Sequence, residues 1–397
     1  MPRTSVVFFM LVVLIDSIGF GIIIPVMPSL LRQLGAGDAR HAIAFGGVLT
    51  FGYAIMQFFC APIVGALSDR FGRRPVLLAS MLAFALDYAL MAIVPYYWML
   101  FIGRLIAGVT GACYPTANAA IADVTPPEER AKNFGLTGMA FGIGFILGPL
   151  AGGWIGTLGP RAPFVAAAIL AALNFVYGLL VVPETLAADK RRPLSFATAN
   201  PFGALRDIAR LREIRGVLVA LFLWQLAFQA LPSTWAYFTQ AAFGWTSSAV
   251  GTSMAFSGVM MAVVLGAVIG PAVKRFGERR AAVIGLSMGT IAYLWYAFAS
   301  AGWMLYVGMA MWALGSLVTP SCNALMSARL GPKRQGELQG IVGASFSLSA
   351  VIAPITMSQL FTPVGPSAPW LVSALLACVA IPVLAATTAR SVAPATA

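Results

Sequence analysis

Apolar residues along this chain gather in runs of about 20, the length of helix that crosses the hydrocarbon core of a bilayer. Twelve such runs recur, centred near Leu14, Ile55, Ala85, Ala107, Ile143, Ala171, Leu226, Val259, Ile291, Met311, Leu348 and Cys378. Most are separated by short polar turns, so consecutive spans must be antiparallel neighbours. One longer polar stretch, residues 184–215, leaves six spans on either side. The pattern predicts an all-α membrane protein of twelve transmembrane helices in two pseudo-symmetric six-helix bundles, over 1–183 and 216–397, with a linker between. Within the linker, Asn200-Pro201 offers a cap and a first-turn proline. Leu205, Ile208, Leu211 and Ile214 then alternate with Arg206, Arg210 and Arg212. That spacing fits a short basic amphipathic helix on the membrane surface, or a solvated linker.

The two halves repeat at an offset of 205 residues, which lays Gly65 on Gly270, Asp69 on Lys274, Gly72 on Gly277, Pro115 on Pro320 and Asn118 on Asn323. The copies differ in their intramembrane charges. Asp16, Asp87 and Arg104 fall inside apolar runs of the first half, and the offset maps them to Leu221, Ala292 and Met309. A charge deep in a bilayer costs several kcal/mol unless it has a partner, water or a task. A carboxyl shielded from water can exchange a proton near neutrality. Asp16, Asp87 and Arg104 are therefore the candidate proton-coupling residues, and a static buried ion pair is the competing reading.

Composition sharpens this. Of the 397 residues, 60% are hydrophobic and 10% charged, far below the charge of a soluble domain. The net charge of +12 does not indicate nucleic acid, because of where the charges lie. Of 25 Lys and Arg, all except Arg32, Arg40, Arg161 and the intramembrane Arg104 fall on one side of the predicted topology. By the positive-inside rule that side is cytoplasmic and holds both termini. The first apolar run is too long for a signal peptide and carries Asp16. The four cysteines lie in spans without metal-ligand spacing, so they read as buried thiols. The lone His41 and the absence of a nucleophile–base pair argue against an intramembrane enzyme. No Walker A sequence suggests ATP drive.

Gln57, Asn118, Asn174, Gln225, Gln229 and Asn323 are uncharged polar residues in spans, with Tyr114, Trp224, Phe228 and Trp235 nearby in sequence. Amides among aromatic faces suit a bulky amphipathic ligand, though each could equally bond between helices. Gln57, Asn118, Gln225, Gln229 and Trp235 are the candidate substrate contacts. In the fifth span, Gly138, Gly142, Gly144, Gly148, Gly152 and Gly156 permit close helix approach around Pro149.

Several motifs name a family. Gly65-x-x-x-Asp69-Arg70-x-Gly72-Arg73-Arg74 resembles the span 2–3 signature of the major facilitator superfamily. Gly103-Arg104 with Gly108 and Gly111 is similar to its fourth-span arginine motif. Gly144-x-x-x-Gly148-Pro149-x-x-Gly152-Gly153 resembles the fifth-span motif of its drug:proton antiporters. The regions around Asp16, Asp87, Gln225 and Arg334-Gln335-Gly336 resemble tetracycline-resistance exporters in particular. This resemblance implies a secondary transporter, not an enzyme. It would export a tetracycline-like amphipathic drug across the inner membrane in exchange for protons, by alternating access, and act as a monomer in lipid. It implies that Asp69 faces the start of span 11, that Arg73 pairs with Asp123, and that these form a cytoplasmic gate. No cofactor is implied, although a substrate carried as a divalent-metal chelate stays open. The chain departs from those exporters in spans 8 and 9, where a histidine and an acid are usual and the corresponding positions here lie near Met261 and Gly289. A metabolite or sugar carrier, or a multidrug exporter that does not recognise tetracycline, remains the alternative.

Overall fold

A computed structural model describes residues 4–37, 39–111, 113–191, 213–331 and 334–389. The predicted linker helix lies outside the described residues. No strand occurs among the described residues.

Among the described residues, ten helices are long and apolar enough to cross a membrane. One of them, Ser247–Ala297, is 51 residues long and turns back at Gly277, whose φ of 76° no helix accommodates. It therefore supplies spans 8 and 9. The span predicted around Ala107 is present as two shorter helices, Tyr97–Thr110 and Cys113–Val124. Ten helices thus carry eleven spans, and the broken span 4 completes twelve.

Three of the interruptions have one chemical cause. Proline has no N–H to donate to the carbonyl four residues back. Pro115 sits just inside the second helix of span 4 and leaves the Gly111 carbonyl free. Pro232 does the same to Phe228 in span 7, which divides into Arg215–Phe228 and Ala230–Phe243. Pro320 does it to Ser316 in span 10, where Gly315–Leu317 tightens into a 3₁₀ turn between Gly302–Leu314 and Val318–Leu330. Pro115 and Pro320 are repeat partners, so both breaks belong to the duplicated unit.

The chain divides into two compact units, Met1–Asn200 with Gly244–Ala255, and Pro201–Phe243 with Phe256–Ala397. In the first, span 1 (Thr4–Ile22) packs along span 5 (Pro127–Ile155), span 3 (Arg73–Ile93) along span 6 (Ala162–Val181), and span 2 (Ala39–Phe71) along span 4. In the second, span 7 packs on span 11 (Gln335–Val364), and the helix Ile269–Ala297 packs on span 12 (Ala368–Ala389). These are the repeat counterparts of the 1–5 and 3–6 pairs. Lipid-facing positions such as Leu86, Ile93, Leu180 and Leu375 are exposed, as a bilayer-embedded bundle requires.

Candidate functional site

Charge at mid-membrane depth collects in the first unit. Asp87 of span 3 and Arg104 of span 4 form an ion pair through Oδ2 and Nη2, with side chains 1% and 7% exposed. Arginine and carboxylate can make two parallel bonds, but here Asp87 Oδ1 and Arg104 Nε are buried without a hydrogen-bond partner. The pair is held by its surroundings. A Cβ at Gly103 would lie 2.7 Å from Asp87 Oδ1, so glycine there makes room for the carboxylate. The guanidinium lies 5.9 Å from the centre of the Tyr53 ring, within cation–π reach. Tyr53 in turn accepts from Gln57 Nε2 at 3.3 Å, and the same nitrogen donates to the Gly111 carbonyl at 2.9 Å. That carbonyl is the one Pro115 frees. Gln57 thus bonds where the proline break in span 4 leaves an acceptor.

Asp16 on span 1 makes no ion pair with any described residue. Tyr88, next to Asp87, links the two acids in space. Its ring stacks on Phe84 and its edge lies 3.4 Å from where a Cβ at Gly19 would be, one turn along from Asp16. Its phenol lies in the field of Asp16, Asp87, Arg104 and Tyr53. The structure brings Asp87, Arg104 and Gln57 into one cluster with Tyr53 and Tyr88, and leaves Asp16 beside it.

The span 2–3 turn is a second polar site. Gly72 takes φ 106°, a conformation open to glycine. Asp69 pairs with Arg73 at 2.6 Å, and Arg73 Nε donates to Asp123 Oδ2 at 3.0 Å. Arg74 donates to the Leu179 carbonyl at 2.7 Å, while Arg70 lies over the ring of Phe71. A Cβ at Gly65 would meet open space. Glu184, which the motif reading missed, organises this turn. Its Oε1 accepts from the amides of Arg73 (2.9 Å), Thr185 (3.0 Å) and Leu186 (3.0 Å), and Oε2 accepts from the Arg74 amide (3.3 Å). A carboxylate on the first amides of span 3 satisfies donors that a helix leaves unpaired and meets the positive end of its dipole. A Cβ at Gly72 would lie 2.2 Å from Glu184 Oε2, so glycine is required twice at that position. The available signal was an acid, in Pro183-Glu184-Thr185, on the face where basic residues collect.

The span 5 glycines divide by task. Cβ atoms at Gly144, Gly148 and Gly152 would lie 2.6, 2.7 and 1.8 Å from the nearest atoms of span 1: Ser17 Cβ, Ile18 O and Ile22 O. Pro149 fills the space opposite Gly21. A Cβ at Gly153 would lie 2.5 Å from the Ser247 carbonyl, which explains why 244–255 cluster with the first unit. Gly138 and Gly142 face open space.

In the second unit, Gln225 is buried and its Oε1 accepts from Ser345 Oγ at 2.7 Å, tying span 7 to span 11. Gln229 sits at the span 7 break and caps its first helix through its backbone amide. Trp235 is fully buried against Tyr296, Trp370 and Phe238. Asn118, in the first unit, has a buried, unpartnered Oδ1. None of these lines the cavity of about 340 Å³ in this unit. Its walls are Trp224 and Phe228 from span 7, Met261 and Leu265 from span 8, and Ser316, Thr319 and Asn323 from span 10.

Comparison with known proteins now decides the family. The Major Facilitator Superfamily model matches residues 9–269 and 238–396. The chain belongs to this superfamily. Among curated relatives of this major facilitator protein, the class C tetracycline resistance protein of Escherichia coli is 39% identical over 94% of each chain. The class G protein of Vibrio anguillarum is 35% identical over 96% of this chain and 97% of the relative. The solved human organic anion transporter MFSD10 superposes with TM-score 0.73 at 25% identity, covering 97% of this chain and 100% of that one. The protein is therefore a multi-pass membrane transporter of small molecules, not an enzyme. Its departure at Gly289 has a steric side: a Cβ there would lie 2.4 Å from the Trp224 ring.

Proposed function

We propose that this transporter exports a tetracycline-like amphipathic drug across the inner membrane in exchange for protons, with both termini cytoplasmic and the single chain as the working unit. The observation that carries the reading is the buried Asp87–Arg104 pair beside Asp16, which makes no ion pair with any described residue, all in one unit. Protonation of Asp87 cancels the charge that Arg104 pairs with and frees the guanidinium. Deprotonation restores the pair. The two states differ by one buried charge, which suffices to bias a conformational equilibrium. Asp16 is a second proton acceptor, and Tyr88 lies between the two acids. The Asp69–Arg73–Asp123 chain, with Glu184, forms the cytoplasmic gate, and the span 5 glycines hold spans 1 and 5 together as the bundle moves.

The relatives' tetracycline resistance supports tetracycline as the drug. Among the described residues no His, Cys, Asp or Glu cluster could hold a metal ion. If the drug travels as a divalent-metal chelate, the ion rides on the substrate. The neutral surroundings of Met261 and Gly289 favour a second reading, a multidrug exporter that does not recognise tetracycline.

The test is transport in everted membrane vesicles. Cells expressing the chain are expected to tolerate tetracycline, and vesicles to accumulate it when a pH gradient is imposed and to lose it when the gradient is collapsed. Accumulation that ignores the gradient would refute proton exchange. Susceptibility unchanged for tetracycline but lowered for other amphipathic drugs would select the second reading.

A further inference from the structure

Span 2 and the first half of span 4 meet along a seam that two glycines allow. A Cβ at Gly108 would lie 2.4 Å from the Tyr53 carbonyl oxygen. One at Gly111 would lie 2.9 Å from the Tyr53 hydroxyl and 3.1 Å from Gln57 Nε2. Tyr53 and Gln57 stand one turn apart on span 2. Tyr53 brings its ring to the Arg104 guanidinium, and Gln57 donates to the Gly111 carbonyl. The same Gln57 nitrogen donates to the Tyr53 hydroxyl. A side-chain amide carries two hydrogens on that nitrogen, so it holds both acceptors at once.

Gly111 is where span 4 breaks. The helix Tyr97–Thr110 ends there, at ψ 33°, and Pro115 has no N–H to give the Gly111 carbonyl. Arg104 lies before the break and Asp123 beyond it. Asp123 accepts from Arg73 Nε at 3.0 Å and from Thr185 Oγ1 at 3.4 Å, beside the span 2–3 turn. Span 4 thus joins the buried ion pair to the cytoplasmic polar site through a point where helical bonding is interrupted. Gln57 holds that point, with its amide nitrogen spent inside the protein rather than turned to a ligand.

Few groups answer the charge of Asp87. They are Arg104 of span 4, Tyr53 of span 2, Asp16 of span 1 and Tyr88 of its own span. Span 6, packed on span 3, has Tyr177 as its one titratable residue, and that ring lies edge-on to Phe8 of span 1. When Asp87 takes up a proton, Arg104 keeps its charge and loses its anion, and its Nε is already without a partner. The Tyr53 ring, its centre 5.9 Å away, offers the guanidinium a cation–π seat.

We infer that Gln57 is a positioning residue for proton coupling: it passes the shift of Arg104 toward Tyr53 on to the Gly111 break, and so lets the half of span 4 that bears Asp123 tilt. The inference rests on the proton role proposed for Asp87. A shifted Tyr53 ring moves the amide bonded to its hydroxyl. Stranding a polar group away from water is costly, so the Gly111 carbonyl follows the amide instead of parting from it. Span 4 then bends at a proline break, where helices kink most readily.

The experiment uses the drug-free full chain in lipid nanodiscs on either side of neutral pH. Infrared difference spectra report protonation of the Asp87 carboxyl, identified by the band that Asp87→Asn lacks. Hydrogen exchange of residues 117–124, corrected for the intrinsic effect of pH, reports the far half of span 4. In wild type, protonation should change exchange there by about fivefold or more, the size of an ordinary conformational coupling. Gln57→Leu should keep the carboxyl band and lose that response. Tyr53→Phe, a gentler change that should fold if Gln57→Leu does not, keeps the ring and removes the hydroxyl, and should lose the response as well. A purely structural Gln57 would shift exchange equally at both pH values, and a substrate contact would leave the drug-free response intact. A full pH response in either variant therefore overturns the inference. A wild type whose carboxyl band appears with no change in 117–124 also overturns it, and leaves Asp87 standing as the proton carrier. A folded wild type with no Asp87 band overturns both.

Discussion

Neutralising Asp87 and Arg104 singly and together separates a proton carrier from a static lock. Both side chains are almost entirely buried, so water cannot compensate a partner's loss and no discount for solvent screening applies. Removing one member of such a pair outright costs about 3–5 kcal/mol, most of it for the charge left unpaired. Asp87→Asn keeps an acceptor oxygen for Arg104 and loses only the charge assistance, so roughly 2–3 kcal/mol is expected. Arg104→Gln should cost a similar amount, because Asp87 Oδ2 loses its guanidinium. The double variant leaves two neutral amides of matching size and removes both stranded charges. It should recover to within about 1 kcal/mol of wild type; against single losses that sum to about 4–6 kcal/mol, this is a coupling of roughly 3–5 kcal/mol between the sites. Denaturant unfolding in micelles measures this, and pH-driven uptake into everted vesicles measures transport in the same proteins. A static lock predicts that the double variant recovers both. A proton carrier predicts recovery of stability with no gradient-driven transport, because an amide cannot take up the proton. Gradient-driven uptake by the double variant near the wild-type rate would refute the proton role of Asp87.

Two further outcomes follow from the packing. Glu184→Ala removes the acceptor for four backbone amides, including the first two of span 3, and should destabilise that turn by about 2 kcal/mol. Faster hydrogen exchange at Arg73 and Arg74, with exchange in mid-span 3 unchanged, would report it, and unaltered exchange at both would count against the capping role. Gly152→Ala places a methyl where the Ile22 carbonyl stands, 1.8 Å from its oxygen, so spans 1 and 5 must separate. A loss of about 1–3 kcal/mol is expected from such overpacking, whereas Gly142→Ala, facing open space, should be near neutral. Equal unfolding midpoints for the two would contradict the division of tasks along span 5.

Much of this protein was legible along the chain. Apolar runs of bilayer length set the number of spans, because backbone polar groups in lipid must be satisfied within a helix. The 205-residue repeat pointed to two like halves, and its partners Pro115 and Pro320 prove in the structure to lie at the breaks of spans 4 and 10. Rare residue types also stood out, since an acid or arginine in an apolar run is costly enough to need a reason.

What lay beyond the sequence was which neighbour each inward-facing residue meets. Their place within apolar runs puts Asp16, Asp87 and Arg104 in the membrane, but only the packing of span 3 on span 4 joins Arg104 to Asp87 and leaves Asp16 with no ion pair among the described residues. Trp224 and Trp235 are both buried aromatic residues of span 7. One lines a cavity and the other is enclosed by Tyr296, Trp370 and Phe238, a difference set by helices many residues away. By sequence Glu184 falls at the start of the linker stretch 184–215, and only the fold brings it to the start of span 3. Hydrophobicity and helix period act locally and so can be read from the sequence. A contact depends on two distant segments arriving at one place, which the tertiary structure alone decides.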